Sequence, residues 1–576
     1  MLLLAAFFPI FSAPQPRTSM VSYNPFPGNT VHAPLSTMAL IAISTVTSGI
    51  EGIQVVNGSS DSPSATPVQG GPVTIPQNTL RFINDTSYFP QGETSISVDP
   101  ANTRHVVGGF NDLKYFFCPF LPGDCASSSS PGSIGGFTVS VDGGASVLKG
   151  SDLPNLGLDS VVNYGDPSVA ASLDGNFFYS NLAFSLRNFV SGVVIAKSNS
   201  SLFNPNVSCV SFGPGQTLNS CWKLVLASST LSSFPASLED KPLIAVDHAP
   251  KDKFTGSVYI AWTHVSFAEG KSTISMSRCD AALASCTPLA GGPLPPLSGT
   301  DEFADFATPA VDAGGNVYVA WCNYGTFNSY GPIVCKMRSS PPGGTGFGAT
   351  STILSFDGLG TILPNDLVTI GFATEQFRTF SIPYLAVDQS PRHGPGSMST
   401  SGNLYFTIQV CISGRYIALR EREVDNPGIC GLSAILVSRS IDSGTTWSQP
   451  ITVSQPAVNA QPALAVDPFT GDVFVSYYTT QFDPFNHRLD VVVSKSTDGG
   501  QTYTQTRITT VSSEPDSDPN MFFYPSPFGG SWVTPQIGDY FQAIAISGTL
   551  WVLFTANYAV EAGTFQSDPF LATLTV

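Results

Sequence analysis

The chain has 576 residues, a formal net charge of −17 and a sequence pI near 4.6. Nucleic acids and anionic membrane surfaces bind proteins through clustered Lys and Arg, so this charge argues against both as partners. Charged residues make up only 11% of the chain, whereas 53 glycines, 46 prolines and 11% aromatic residues favour short strands with frequent turns over helices. The composition therefore predicts an all-β protein.

The N-terminal region differs in composition from the rest of the chain. Residues 2–11 form an apolar run that is too short to span a bilayer, and the following stretch is rich in Ser, Thr, Pro and Gly. We predict a hydrophobic leader over residues 1–13, a linker over 14–75 and one folded domain over 76–576. No integral membrane segment is predicted.

The domain contains a pattern of the form Pro-x-Leu-Ala-Val-Asp, a short turn, and Gly-x-Val-Tyr-Val-Ala-Trp. Seven copies occur, and the residues that close their first strand are Asp99, Ser172, Asp247, Asp312, Asp388, Asp467 and Ser547. The steps between them are 73, 75, 65, 76, 79 and 80 residues. Such regular spacing indicates one supersecondary unit per step.

Each unit is predicted to hold four antiparallel strands, a to d. In the sixth unit these strands are expected at 464–466, 473–477, 491–495 and near 507–511. Radial repetition of such units predicts a seven-bladed β-propeller, with six blades as the alternative. The last unit lacks strand d, so we expect residues 80–84 to pair with 570–576 and close the ring, which removes its open edge.

Two turns between strands c and d share one sequence pattern, at residues 440–447 (SIDSGTTW) and 496–503 (STDGGQTY), and residues 140–144 (SVDGG) repeat it in part. An Asp can accept backbone N–H bonds across the turn, Gly supplies a positive φ, and an aromatic residue covers the turn. The residues assigned to this structural role are Asp142, Asp442, Trp447, Asp498 and Tyr503. The pattern resembles the Asp-box, or BNR, repeat of sialidase-like β-propellers.

This resemblance implies a secreted protein with a propeller fold, and an Asp box defines a fold and not a reaction. Gly538-Asp539-Tyr540 is similar to a motif of secreted BNR-repeat proteins. An Asp beside a Tyr could activate the phenol for a glycosidase with a Tyr nucleophile, or Tyr540 could pack against the next blade. The Arg-Ile-Pro motif of sialidases is not matched, because Arg81 is followed by Phe82 and Ile83.

The ten cysteines fall into five local couples, none with the CxxC spacing of a zinc or redox site. The couples are Cys118 with Cys125, Cys209 with Cys221, Cys279 with Cys286, Cys322 with Cys335, and Cys411 with Cys430. Local pairs in even number predict five disulfides and hence an oxidising compartment, with buried free thiols as the alternative. We therefore expect a secreted or cell-surface protein.

Several acids precede strand a, at the propeller face that carries the d-to-a and b-to-c loops. They include Glu93, Asp166, Asp240, Asp305 and Asp539. Convergent carboxylates could act as general acid and base, or could bind calcium or sugar hydroxyls; alternatively, each caps its own turn. We assign a catalytic role to Asp166, Asp539 and Tyr540, and a binding role to the other acids.

Two further features lie on this loop face. His264 ends strand b of the third unit and could serve as a lyase base, although a lone His is often structural. Between Cys411 and Cys430, residues 415–425 hold six charged side chains, so Arg415 and Arg420 could bind a carboxylate or a partner, or the charges could pair internally.

Together these features predict an exported monomer that binds a glycan or another extracellular ligand, with glycoside hydrolysis as the enzymatic hypothesis. A non-catalytic recognition or scaffold protein and a propeller-type polysaccharide lyase are the alternatives. No cofactor other than calcium is expected.

Overall fold

In the computed structural model, seven antiparallel β-sheets are arranged in sequence order around one axis. The sheet topology therefore confirms the all-β, seven-bladed propeller. The structure describes residues 79–83, 90–113, 133–156, 161–185, 190–209, 221–228, 231–233, 236–250, 253–324, 333–356, 379, 381–391, 400–413, 431–514, 524–525, 531–532, 537–561 and 564–576.

Six of the blades take their strands a to d in chain order. Blade one has Gln91–Val98, Val106–Asp112, Gly135–Ser140 and Lys149–Asp152. Blade two has a divided strand a, Val162–Asn163 and Ser168–Ala171, then Phe177–Ser185, Val190–Ser198 and Trp222–Leu226 with Ser232–Ser233. Blade three has Ser237–Val246, Val258–Ser266, Lys271–Cys279 and Cys286–Ala290.

The remaining blades follow the same plan. Blade four has Ala304–Val311, Val317–Asn323, Ile333–Ser340 and Ser351–Phe356; blade five has Tyr384–Val387, Leu404–Ser413, Leu432–Ser440 and Ile451–Thr452. Blade six has Asn459–Val466, Val473–Thr479, Asp490–Ser496 and Thr504–Arg507, so its strand d begins three residues earlier than the sequence suggested. A two-stranded ribbon, Tyr524–Pro525 with Ser531–Trp532, and short 3₁₀ turns at Ser200–Phe203 and Pro342–Gly344 complete the described elements.

Both ends of the chain build blade seven. Strands Gln542–Ile546, Thr549–Glu561 and Thr564–Thr575 are followed across the sheet by Thr79–Arg81. Leu80 lies opposite Leu571 in this last pairing, and Arg81 Nε donates to the buried Asp568 carboxylate at 2.6 Å. The predicted closure of the ring by an N-terminal strand is confirmed.

The Asp that ends strand a stabilises the turn that follows it. Its Oδ1 atom accepts the backbone N–H two residues later in blades one, three, four, five and six, with distances of 2.8, 2.9, 2.8, 2.7 and 2.8 Å. In blade six, Asp467 Oδ2 also accepts Gly548 N of blade seven at 2.6 Å. This shared role gives a physical reason for the Asp in the sequence repeat.

The three c-to-d turns with the repeated Asp have one hydrogen-bond pattern. Ser440 Oγ donates to Asp442 Oδ1 at 2.8 Å and accepts Gly444 N at 2.8 Å. Thr446 donates its N–H and its hydroxyl to the same carboxylate, at 2.8 and 2.6 Å. The turns at Asp142 and Asp498 repeat these bonds.

Three predicted disulfides are confirmed: Cys209–Cys221, Cys279–Cys286 and Cys322–Cys335. Cys411 is also disulfide-bonded. Its predicted partner Cys430 lies outside the described residues, as do Cys118 and Cys125. The pairing of Cys411 with Cys430 and that of Cys118 with Cys125 therefore stay predictions. Local disulfides of this kind stabilise single hairpins.

The turn between strands c and d of blade three has both a disulfide and backbone hydrogen bonds. Asp280 still accepts backbone N–H bonds from Ala282, Ala284 and Ser285, at 3.0, 3.0 and 2.7 Å. The cysteines Cys279 and Cys286 lie opposite each other at the base of this turn. The disulfide therefore stabilises this turn in addition to its hydrogen bonds.

The core lies between neighbouring blades. Tyr179 of blade two, for example, packs with Phe137 of blade one and donates its hydroxyl to Gly136 O at 2.8 Å. Along the axis, apolar residues of strands a surround a channel of about 220 Å³. Among the described residues, no helix is long and apolar enough to cross a membrane.

Candidate functional site at the channel mouth

Five blades place a residue with left-handed backbone at the same point, six positions before the residue that closes strand a. These residues and their φ angles are Glu93 (53°), Asp166 (58°), Lys241 (50°), Phe306 (57°) and Gln461 (49°). In blades one, three, four and six the pairing of strands a and b shifts register here, which is a β-bulge. A left-handed non-glycine residue costs about 1 kcal/mol or more. Because this backbone strain recurs at equivalent positions in five blades, we take these positions as a candidate functional site.

Glu93 of blade one and Asp166 of blade two form a buried carboxyl pair. Asn111 holds both residues, because its Nδ2 donates to Glu93 Oε2 at 2.6 Å and its Oδ1 accepts Asp166 N at 2.9 Å. Burial raises the pKa of Asp166 well above its ordinary value, and the charges of Glu93 and Asp240 raise it further. Ionisation of both carboxyl groups at once is therefore unfavourable at this place.

Lys241 of blade three provides a cation beside this pair. Its Nζ lies 2.7 Å from Asp240 Oδ2, 3.9 Å from Asp305 Oδ2 and 4.7 Å from the centre of the Phe306 ring. Burial lowers the pKa of Lys241, but the charges of Asp240 and Asp305 raise it above the ordinary value. Lys241 is therefore a buried, charged residue that joins blades three and four.

Asp305 is completely buried and sits at the boundary between blades three and four. Thr263 Oγ1 donates to its Oδ1 at 2.6 Å, and the Phe306 N–H donates to the same atom at 2.7 Å. Burial nevertheless raises the pKa of Asp305 to about 6, because the charge of Lys241 offsets only part of the desolvation. Asp305 therefore changes protonation in the mildly acidic range.

The motif Gly538-Asp539-Tyr540 of blade seven completes the ring. Gly538 has φ 92°, and a Cβ atom there would lie 2.3 Å from Glu93 N, so only glycine fits. Asp539 is buried, and its charge contributes to the raised pKa of Lys241. Tyr540 donates its hydroxyl to Pro167 O at 2.9 Å, and burial raises its pKa well above the ordinary value, so the phenol is a neutral donor here.

His264 belongs to a separate cluster at the boundary of blades two and three. Its Nδ1 lies 3.0 Å from Glu239 Oε1, and the Trp262 indole donates to Glu239 Oε2 at 2.6 Å. Burial lowers the pKa of His264, but the hydrogen bond and charge of Glu239 raise it above the ordinary value. Its side chain is 32% exposed, unlike the acids of the channel mouth.

The structure thus brings together Glu93, Asp166, Asp240, Asp305, Asp539 and Tyr540, and places His264 elsewhere. Arg415 and Arg420 lie outside the described residues. Lys241 and Asn111 were missed by sequence reasoning. Lys241 could have been found by aligning the repeats, since it stands at the same position as Glu93 and Asp166. Within the described ranges, no three His, Cys, Asp or Glu side chains are arranged to hold a metal ion, and calcium binding stays a prediction.

Comparison with known proteins finds similar architectures among solved structures. A structure described as Hadza microbial sialidase Hz136 is 11% identical, with a TM-score of 0.40 over 77% of this chain and 73% of that chain. The Penicillium chrysogenum alpha-L-arabinanase complexed with arabinobiose is 10% identical, with a TM-score of 0.41 over 73% and 98%. The GH93 alpha-L-arabinofuranosidase of Fusarium graminearum is 10% identical, with a TM-score of 0.38 over 75% and 97%.

No protein-family model matches the chain, and no curated protein sequence matches it. At these identities and TM-scores, the structural similarities say nothing about activity. The propeller architecture rests on the sheet topology of the chain itself.

Proposed function

We propose that this protein is exported and hydrolyses glycosidic bonds at the channel mouth. The observation that carries the proposal is the buried cluster of Asp166, Glu93 and Asp240 next to Lys241, in which burial raises the pKa of Asp166 well above its ordinary value. Glycoside hydrolysis needs one carboxyl group that stays protonated and a second that is ionised. Asp166 supplies the first, and Asp240, ion-paired with Lys241, supplies the second.

The two groups are close enough to act on one bond. The Lys241 amide N–H contacts both Asp166 Oδ2, at 3.3 Å, and Asp240 Oδ1, at 3.1 Å. Such proximity favours the retaining class, in which the carboxyl groups are only about 5 Å apart. Asp166 would protonate the leaving oxygen, Asp240 would attack the anomeric carbon, and water would then release the sugar. Tyr540 would hold Pro167, beside Asp166, in place.

Export is supported by the disulfides, because such bonds persist in oxidising compartments. The repeated Asp turns support a place among secreted BNR-repeat propellers of the sialidase-like superfamily. In this proposal the glycan is extracellular, and the protein acts as a monomer.

A non-catalytic recognition or scaffold protein is the second candidate, and the burial of the cluster favours it. Glu93, Asp166, Asp240, Asp305 and Asp539 are all at most 1% exposed. Several of their hydrogen bonds join neighbouring blades, as Asp166 N to Asn111 and Thr263 to Asp305 do. Such a network could serve only to hold the ring together.

A polysaccharide lyase is the third candidate, because His264 could act as its base. Glu239 orients its ring, and the exposed part of the side chain could take a proton from a uronic acid. The products separate this candidate from a hydrolase, because a lyase leaves an unsaturated sugar at the new chain end.

The test is a panel of neutral and acidic polysaccharides, incubated with the full chain with added calcium and with a chelator. Release of saturated reducing ends, with retained anomeric configuration in the first product, is the expected result. Unsaturated products would favour the lyase. Binding without any product would favour the recognition protein, and neither binding nor product would argue for a scaffold.

A further inference from the structure

Two phenylalanines stand out on the loop face of blade six. Phe482 and Phe485 lie in the loop between strands b and c and are 38% and 77% exposed. Burial of a phenylalanine side chain stabilises a protein by about 1.5–3 kcal/mol, and an exposed ring does not contribute this free energy. Two exposed phenylalanines in one loop therefore suggest a contact with a ligand or partner.

The loop holds these rings on a fixed backbone. Asp483 is buried, and its carboxylate accepts the N–H groups of Phe485, His487 and Arg488 at 3.2, 3.1 and 2.7 Å. Burial raises the pKa of Asp483, but these backbone bonds lower it below its ordinary value, so the carboxylate stays ionised. The loop is therefore ordered before a ligand binds, so little binding free energy is lost in ordering it.

An arginine of the neighbouring strand d is stacked on the first ring. The guanidinium carbon of Arg507 lies 4.3 Å from the centre of the Phe482 ring. Arg507 Nε and Nη2 both donate to the buried Asp490 Oδ1, at 3.1 and 2.8 Å, which fixes the plane of the group. Within the described residues Nη1 makes no hydrogen bond, and the side chain is 34% exposed. We call Phe482, Phe485 and Arg507 the blade-six platform.

The charges at the platform decide which ligand it suits. Each basic side chain there lies beside a carboxylate: Arg507 beside Asp490, Arg488 beside Asp483, and His487 beside Glu514. These contacts leave no excess of positive charge at the platform, and the whole chain carries −17. An anionic polymer gains little attraction from such a surface.

A neutral sugar matches the platform in its chemistry. The apolar C–H face of a sugar ring can cover an aromatic ring, and its hydroxyl groups can accept hydrogen bonds from a fixed guanidinium. Gln505, two residues before Arg507 on the same face of strand d, has a fixed side-chain amide, because its Oε1 accepts Gln481 Nε2 at 2.9 Å and its Nε2 donates to the Tyr477 hydroxyl. We propose that the blade-six platform binds a neutral polysaccharide chain, separately from the channel mouth. The choice of a sugar as ligand rests on the proposed function.

The experiment measures the affinity of the full chain for soluble arabinan, xylan and mannan, with polygalacturonate as the acidic probe. All variants carry Asp166→Asn, so that no polymer is hydrolysed. We expect Phe485→Ala to weaken binding to at least one neutral polymer about tenfold, which corresponds to the loss of one aromatic stacking contact. Arg507→Lys keeps the charge but loses the planar group, and should also weaken binding.

Phe469→Ala is the matched control, because Phe469 is 51% exposed in the a-to-b turn of the same blade, on the opposite face. It should leave binding unchanged, and high salt should not abolish binding to the neutral polymer. Three results would refute binding at the platform. They are equal affinities of Phe485→Ala and Phe469→Ala, binding to polygalacturonate alone, and no binding to any neutral polymer. Failure of hydrolysis by the wild type would leave these binding results intact, so the two proposals fail separately.

Discussion

Glu93 of blade one and Asp166 of blade two occupy equivalent positions, share a left-handed backbone and are held together by Asn111. Adjacent blades thus place two carboxyl groups in contact away from water. Burial raises the pKa of Asp166, and the charge of Glu93 raises it further, because two such groups cannot both ionise at low cost. The repeat of the fold creates the pair, because blades one and two each place an acid with left-handed backbone six positions before the residue that closes strand a.

The buried acids make stability depend on pH. The pKa of Asp305 rises from about 4 in the unfolded chain to about 6 in the folded one, so its contribution is complete below about pH 4 and is lost as the pH rises through 6. We expect the drop in melting temperature from pH 4 to pH 7 to be smaller in Asp305→Asn than in the wild type. Asp472→Asn, at a surface ion pair, is the control and should keep the wild-type drop. An unchanged drop in Asp305→Asn would refute this assignment.

The Asp turns should contribute stability and nothing else. Ser496 is buried, donates to Asp498 and accepts Gly500 N at 2.8 Å, so Ser496→Ala should lower the free energy of unfolding by about 1 kcal/mol. Urea denaturation measures this loss. Gln501→Ala, in the exposed part of the same turn, should change it by less than about 0.5 kcal/mol. Equal losses in the two variants would contradict the role given to the Ser hydroxyl.

Closure of the ring can be tested at Phe82. This residue follows the N-terminal strand, is completely buried and packs with Leu553 and Leu571 of blade seven. Phe82→Ala should cost about 3–5 kcal/mol of unfolding free energy, whereas the partly buried Leu80→Ala should cost less. Calorimetric melting of both variants gives the comparison. A Phe82→Ala protein as stable as the wild type would mean that the N-terminal strand does not close the blade.

The His264 cluster predicts a measurable coupling. Because burial lowers the pKa of His264 and Glu239 raises it, Glu239→Gln should lower that pKa below the wild-type value. NMR titration of the imidazole resonances follows the change. Glu269→Gln is the control, since Glu269 acts on His264 only through its charge and should have a smaller effect. A titration unaffected by Glu239→Gln would show that the carboxylate does not orient the ring.

The fold could be predicted from the sequence because one pattern recurs seven times and each copy specifies both a strand and its turn. The site could be predicted only in part. Glu239 and Asp240 look alike in sequence, yet alternate side chains leave a strand on opposite faces, so Glu239 meets His264 and Asp240 meets Lys241. Lys241 looks like a solvated residue until the bulge and three neighbouring acids surround it. Lys241 and these acids come together only when the ring closes, so no local sequence pattern predicts their contacts.

We propose that the raised pKa of Asp166 serves a reaction and not only the stability of the ring. The direct test measures glycan hydrolysis and melting temperature together in Asp166→Asn, with Asp142→Asn at an Asp turn as the control. We expect Asp166→Asn to abolish hydrolysis while its melting temperature stays near that of the wild type, because an amide has the shape of a protonated carboxyl group and carries no charge. Asp142→Asn should melt earlier and remain active. Full hydrolysis by a less stable Asp166→Asn protein would contradict a catalytic role for Asp166.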